Sequence, residues 1–208
     1  MSDKGHFISL EGGEGVGKST QVQALAEALR GRGIEVLVTR EPGGSAGAEA
    51  IRELLLGGAE DRWDARAEVL LFAAARADHV DRTIKPALEA GRWVLSDRFA
   101  DSSLAYQGGA GGLGIENVRA INAFAADGWF PDRSLVLILD EGAERAKARD
   151  GEHADRIGGR PDDFHRKVDA AFRIIAGEEP ERVKLIDASG SPGEVTARLL
   201  EAIADLLP

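Results

Sequence analysis

The chain has 208 residues, 43% of them apolar, with no cysteine and a formal net charge of −10. That length suits one domain with a sizeable core. The cysteine-free composition excludes disulfides and thiolate metal sites, and an acidic balance without a Lys/Arg block argues against a partner of duplex nucleic acid. The opening MSDKGHFISL lacks the apolar run of a signal peptide, and no stretch approaches the roughly 18 apolar residues of a membrane span, so a cytoplasmic protein with no membrane partner is expected.

In chain order, short apolar runs rich in β-branched residues alternate with helix-like stretches. The runs are HFISLE (6–11), EVLVTR (35–40), RWVLSD (92–97), SLVLILD (134–140) and RVKLID (182–187). None alternates strictly, as befits strands covered on both faces. Helical patterns occupy 18–31, 46–56, 66–90, 116–127, 142–150, 163–177 and 192–207. The alternation predicts an α/β fold, a five-stranded parallel sheet flanked by helices. RDGEHADRIGGRPDD (149–163) stands apart, charged and nearly free of large apolar side chains. It reads as a solvated loop or a mobile lid.

Between the first strand and the first helix lies GGEGVGKS (12–19), which fits G-x-x-x-x-G-K-[ST] in the context that the motif requires. Glycines let successive backbone N–H groups converge as an anion nest, and the helix N-terminus adds its dipole. Gly12, Gly13, Glu14, Gly15, Val16, Gly17, Lys18, Ser19 and Thr20 are thus the candidate ATP site of a P-loop NTPase fold. Lys18, expected to stand exposed on the loop, reaches the β- and γ-phosphates, and Ser19 ligates Mg²⁺. No N-K-x-D tetrapeptide for reading guanine occurs.

Further motifs fall at or beyond strand ends, where open α/β sheets bind ligands. TREPGG (39–44) projects Arg40 and Glu41 ahead of a turn at Pro42. In LLFAAARADH (70–79), Phe72 and Arg76 lie four residues apart and share a helix face. A ring beside a guanidinium can hold a base and donate to its carbonyl edge, although Phe72 taken alone fits a core position. In SDRFADSSLAYQGG (96–109), Asp97 ends a strand as a magnesium-organising carboxylate would, and Arg98 adds a bidentate phosphate fork. Ser103, Tyr106 and Gln107 follow at helical spacing and can line a polar pocket.

With FISLEGGEGVGKST, TREPGG, FAAAR, DRF, AYQGG and ADRI in that order, the chain resembles the thymidylate kinase family along almost its whole length. The resemblance implies transfer of the γ-phosphoryl of ATP to dTMP, with Mg²⁺, in a homodimer. It further implies that Phe72, Arg76 and Gln107 hold the thymine and that Tyr106 lies under the sugar. Arg98 and Arg40 would sit near the dTMP phosphate, with Glu41 close to sugar and phosphate. The family often has Tyr or His after the Asp-Arg pair; Phe99 stands here, and no role is assigned to it. The P-loop interior carries an acid and no arginine, so an added transition-state cation must come from elsewhere. Arg156 and Arg160 of DRIGGR supply candidates. This resembles the bacterial subtype in which the lid carries the catalytic arginine, with Lys18, Arg98 and Arg156 as catalytic residues. Kinases of dUMP, CMP or AMP, and a P-loop module that only binds nucleotide, remain as alternatives.

Overall fold

The computed structural model describes residues 5–59, 61–139 and 156–208. The expected helix at 142–150 and the first part of the 149–163 segment lie outside the described residues.

Five parallel strands, β1 (Phe7–Gly12), β2 (Val36–Arg40), β3 (Trp93–Asp97), β4 (Arg133–Ile138) and β5 (Val183–Asp187), form one sheet in the order β2-β3-β1-β4-β5. All five predicted strands are present, with ends shifted by no more than a residue or two. Helices α1 (Lys18–Arg30), α2 (Ala46–Leu56), α3 (Ala65–His79), α4 (Lys85–Glu89), α5 (Ala100–Ser103), α6 (Ile115–Ala126), α7 (Asp162–Glu178) and α8 (Pro192–Ala202) flank it.

Period-two alternation within the buried strands divides the core. Ile8, Leu10, Leu95, Leu135 and Leu137 pack on one side with Val22, Leu25 and Leu29 of α1 and Val195 and Leu199 of α8. Val136 meets Val118, Val168, Phe172 and Ile175 on the other side, where Phe7 and Val94 also pack with Val80, Ile84 and Phe99. Burial on both faces explains why these strands read as continuous apolar runs.

The predicted 66–90 helix is interrupted. Val80–Ile84 forms a π-helical turn between α3 and α4. Pro86 follows directly, and its ring cannot accept a normal α-turn against the carbonyl four residues before it. The 192–207 stretch likewise stops at Ala202 and resumes as a 3₁₀ turn at Ala204–Leu206. A second π turn, Leu104–Ala110, extends α5 and carries Tyr106 and Gln107. Its Gly109 lies so close to α7 that an added Cβ would meet the Ala171 Cβ at 2.6 Å. Arg182 clamps the start of this helix from beside β5, its guanidinium donating to both oxygens of Asp101 at 2.7 and 2.8 Å.

Strand register sets the site. Leu10 of β1 and Arg40 of β2 both pair with Asp97 of β3. The P-loop, TREPGG and SDRF segments therefore leave the sheet at one edge, its carboxyl end.

Candidate active site

A cavity of about 590 Å³ opens at that edge and runs from the P-loop to α3 and the second π turn. Glu14 through Thr20, Arg40, Glu41, Pro42, Phe72, Arg76, Asp97, Arg98, Ser103, Tyr106 and Gln107 line it. Seventeen positions expected to meet, drawn from four stretches of the chain, thus line one cavity. Gly12, Gly13 and Arg156 are not among the lining residues; Arg156 is joined to the wall through Glu68, to which Gln107 donates.

The P-loop end is built by backbone. Gly12 has φ +131, and a Cβ there would sit 2.5 Å from the Leu137 carbonyl oxygen, so only glycine fits as the chain leaves β1. Lys18 is not exposed as expected. It is 7% accessible, and its Nζ donates to the Gly13 carbonyl. The loop folds back over its stem, since a short nest closes on the only cation within it. Burial, with Arg98 nearby, draws the Lys18 pKa down to about 8. Ser19 Oγ donates to Asp97 Oδ2 at 2.7 Å. A hydroxyl and a carboxylate oxygen side by side beneath a phosphate nest suit Mg²⁺, which keeps most of its shell for water and phosphate. Among the described residues no three His, Cys, Asp or Glu side chains gather as an all-protein metal cage.

Arg98 joins the two ends. It holds a left-handed backbone, φ +69, uncommon for a side-chain-bearing residue, fixed by its N–H on the Leu10 carbonyl and its carbonyl on Ser96 Oγ. That turn aims the guanidinium at the P-loop. It donates to the Gly12 carbonyl at 2.8 Å, Glu14 Oε1 at 2.6 Å, Ser102 Oγ at 3.1 Å and Tyr106 Oη at 3.2 Å. Tyr106 also donates to Glu14 at 3.0 Å. Burial works against a charged Glu14, yet Arg98, Lys18 and the Tyr106 hydroxyl together pull its pKa down to about 2. The acid in the loop interior is therefore a counter-ion that holds Arg98 over the nest.

The far end is a buried polar network. Arg76 is 2% exposed; its Nε donates to Glu41 Oε2 at 2.8 Å, Nη1 to Asn122 and Nη2 to Ser103 Oγ at 3.2 Å. Glu41 Oε1 pairs with His79 Nδ1 at 3.0 Å, and His79 Nε2 meets Thr39 Oγ1 at 2.7 Å. Phe99 lies under Arg76, ring centroid 5.0 Å from the guanidinium carbon, and so has a packing role that the sequence did not disclose. Arg40 sits at the rim and pairs with Glu49 at 3.0 Å. Phe72 is half-buried, packed against the core on one side and lining the cavity on the other.

Arg156 is buried beside this network. Its Nη2 donates to Glu68 Oε2 at 2.6 Å and its Nε to the Leu55 carbonyl at 2.8 Å. Arg160 shares the same carboxylate oxygen at 2.7 Å. Sequence reasoning missed Glu68, His79 and Asn122. Glu68 and His79 do lie on α3 with Phe72 and Arg76, at steps of three or four residues, and that helical spacing was the available signal.

Comparisons with known proteins place the whole chain. The family model described as thymidylate kinase matches residues 10–199. A thymidylate kinase of Rhizorhabdus wittichii is 62% identical, the match spanning 98% of this chain and 99% of that one. Another from Gluconobacter oxydans is 50% identical over 100% of this chain and 98% of its own. The crystal structure of thymidylate kinase from Ehrlichia chaffeensis superimposes with a TM-score of 0.79 at 30% identity, covering 97% of this chain and 99% of that chain. A family model matched over most of the chain, together with relatives of this identity and coverage, shows that the chain belongs to the thymidylate kinase family.

Proposed function

We infer that the chain is an ATP-dependent kinase that transfers the γ-phosphoryl group to dTMP, giving ADP and dTDP. One observation carries the reading: a single cavity joins a P-loop to a wall that combines an aromatic face, Phe72, with the polar groups Arg76 and Gln107. Family membership supports it, and the alternatives have no comparable support.

The chemistry asks little covalent help from the protein. The acceptor is already an anionic phosphate, so alignment and positive charge matter most. Lys18 and the loop amides hold the β- and γ-phosphates of the donor. Ser19 and Asp97 would hold Mg²⁺, which supplies charge neutralisation on the phosphate oxygens. Arg98, anchored by Glu14 and the Gly12 carbonyl, faces the acceptor phosphate, with Arg40 at the rim. Phe72 stacks on the thymine, and Tyr106 and Glu41 sit against sugar and phosphate, with Pro42 and Ser103 completing that wall. Arg156, as the catalytic arginine of a 149–163 lid, exchanges Glu68 for the transferring group.

A homodimer belongs to the same proposal. Phe124 on α6 is 91% exposed and Leu70 on the neighbouring α3 is also exposed, which supports an apolar face for a second copy. So does a cytoplasmic location; among the described residues no helix is long and apolar enough to cross a membrane.

A substrate panel of dTMP, dUMP, CMP and AMP with ATP and Mg²⁺ tests the reading, with products resolved by thin-layer chromatography. We expect dTDP as the preferred product. ATP binding without dTDP would leave a nucleotide-binding module, and preference for another monophosphate a different kinase.

A further inference from the structure

Glu68 lies on α3 one turn before Phe72 and two turns before Arg76, with its side chain only 2% exposed. Its two carboxylate oxygens have separate tasks. Oε2 accepts from Arg156 at 2.6 Å and Arg160 at 2.7 Å, and Oε1 accepts from Gln107 Nε2 at 2.9 Å. Burial opposes its ionisation, but the Gln107 hydrogen bond and the two arginines lower its pKa, so it is a carboxylate at neutral pH.

An ionised carboxylate only accepts hydrogen bonds. It can therefore hold the nitrogen end of the Gln107 amide and not the carbonyl end. The Gln107 Oε1, an acceptor, is the amide atom left for a ligand in the cavity that Gln107 lines. Arg76 lines the same cavity with donors alone, locked by Glu41, Asn122 and Ser103. A fixed donor and a fixed acceptor beside the Phe72 ring match the imide edge of thymine or uracil, which presents a carbonyl oxygen next to a ring N–H. Cytosine presents an amino donor next to a ring nitrogen acceptor and mismatches both. An amide without a partner on its nitrogen could turn over and satisfy either edge.

We propose that Glu68 is a positioning residue for base selection: by holding the Gln107 amide nitrogen it presents an acceptor to the base and so favours the imide edge of thymine over the edge of cytosine. The proposal rests on the dTMP reading above. Two arginines on Oε2 give it an internal reserve, because Arg160 keeps the carboxylate charged and oriented when Arg156 turns to the phosphoryl group.

The test is the ratio of kcat/KM for dTMP to that for dCMP, with the ratio for dTMP to dUMP beside it. Glu68→Gln should lower the dTMP:dCMP ratio at least about tenfold, since polar groups built to pair with one edge are what reject its competitor. The dTMP:dUMP ratio should stay, because both bases carry the same imide edge. Arg156→Ala should lower kcat and leave both ratios unchanged. In a Gln107→Ala background Glu68→Gln should move the dTMP:dCMP ratio no further. An unchanged ratio in Glu68→Gln, or a shift of equal size in the Gln107→Ala background, overturns the proposal. The wild-type protein supplies a measurement independent of variant folding: the Gln107 side-chain N–H signals in NMR should be slow to exchange and hold their positions when dTMP is added. Large shifts of those protons on dTMP addition would also overturn it. A wild-type protein that makes no dTDP defeats the dTMP reading itself, a different outcome from any of these.

Discussion

The two ends of the cavity are built by opposite means. In the proposed function the donor end draws on nine consecutive residues, Gly12 to Thr20, and one strand-terminal carboxylate, with most of its donors expected from backbone amides. At the acceptor end, Arg76, Glu41, Asn122, Ser103, Gln107 and Glu68 come from four separate parts of the chain and are locked by buried side-chain hydrogen bonds. Phosphate is the same on every nucleotide, so a nest of N–H groups suffices for it. A base must be told from other bases, which requires fixed donors and acceptors whose partners are themselves fixed. Arg98 is the piece common to both, tied to Gly12 and Glu14 on one side and Tyr106 on the other.

The largest effect is expected at the donor end. Lys18→Ala removes the only cation in the nest and with it several kcal/mol of transition-state stabilisation. Turnover should fall by about a thousandfold or more, with a fold intact by circular dichroism. A variant that keeps over a tenth of wild-type turnover would show that the backbone alone carries the donor end. Because Lys18 is buried, and charged at a cost, its loss should not weaken the protein.

Next comes Arg156, which sits at the acceptor end but is expected to act on the phosphoryl group. An interaction made mainly at the transition state lowers kcat with little change in KM when it is lost. Arg156→Ala should reduce kcat at least about a hundredfold while ATP and dTMP still bind, by analogy with arginines that complete other phosphoryl-transfer sites. Arg160→Ala should do less. If both variants behave alike, or Arg156→Ala raises only KM, the pair on Glu68 is a binding device of the acceptor end.

The contrast between the ends also explains what the sequence disclosed. The strands were legible because burial on both faces leaves continuous apolar runs, and the nest because its chemistry is contiguous. Asp97 could be found because it ends such a run. Glu68, His79 and Asn122 were harder to see, because a buried polar side chain looks like a surface one until a side-chain partner 38 to 92 residues away is known. Phe99 looked like the loss of a polar group and proves to be the floor beneath Arg76. Lys18 was misread as exposed because a lysine in a glycine-rich loop gives no sign that the loop closes on it. The π turns were hidden for a local reason: Pro86 marks a disturbance in the helix but does not say which kind.

Phe72 tests the acceptor end alone. It is half-buried, so core packing and base stacking both draw on it. Phe72→Ala should raise KM for dTMP about tenfold or more and leave KM for ATP unchanged. Base–aromatic contacts of about 1–3 kcal/mol set that scale. Equal KM values for both substrates would make the ring a core residue only.

The smallest effect concerns stability at the root of the donor end, where a side chain rather than backbone sets the outcome. Glu11 is the last side chain before Gly12 and is fully buried. Its Oε2 accepts from Ser102 Oγ at 2.6 Å, while Oε1 has no hydrogen-bond partner among the described residues. Burial, reinforced by Asp101, lifts its pKa to about 7, against the pull of Ser102, Ser9 and Arg98. The sign follows from proton counts. Between its ordinary value of 4.5 and about 7, the folded chain keeps a proton that the unfolded chain has released. Stability from this group is therefore full below pH 4.5 and declines as pH rises through about 7. Glu14 acts oppositely, its contribution present above pH 4.5 and lost as pH falls toward 2. Glu11→Gln keeps the shape and removes the titration. Urea unfolding at pH 5 and pH 8 should therefore show the variant gaining on the wild type at the higher pH, by roughly 1–3 kcal/mol. An equal difference at the two pH values would mean that Glu11 ionises normally, and that the donor end rests on a carboxylate paired through Arg98 instead of a neutral acid.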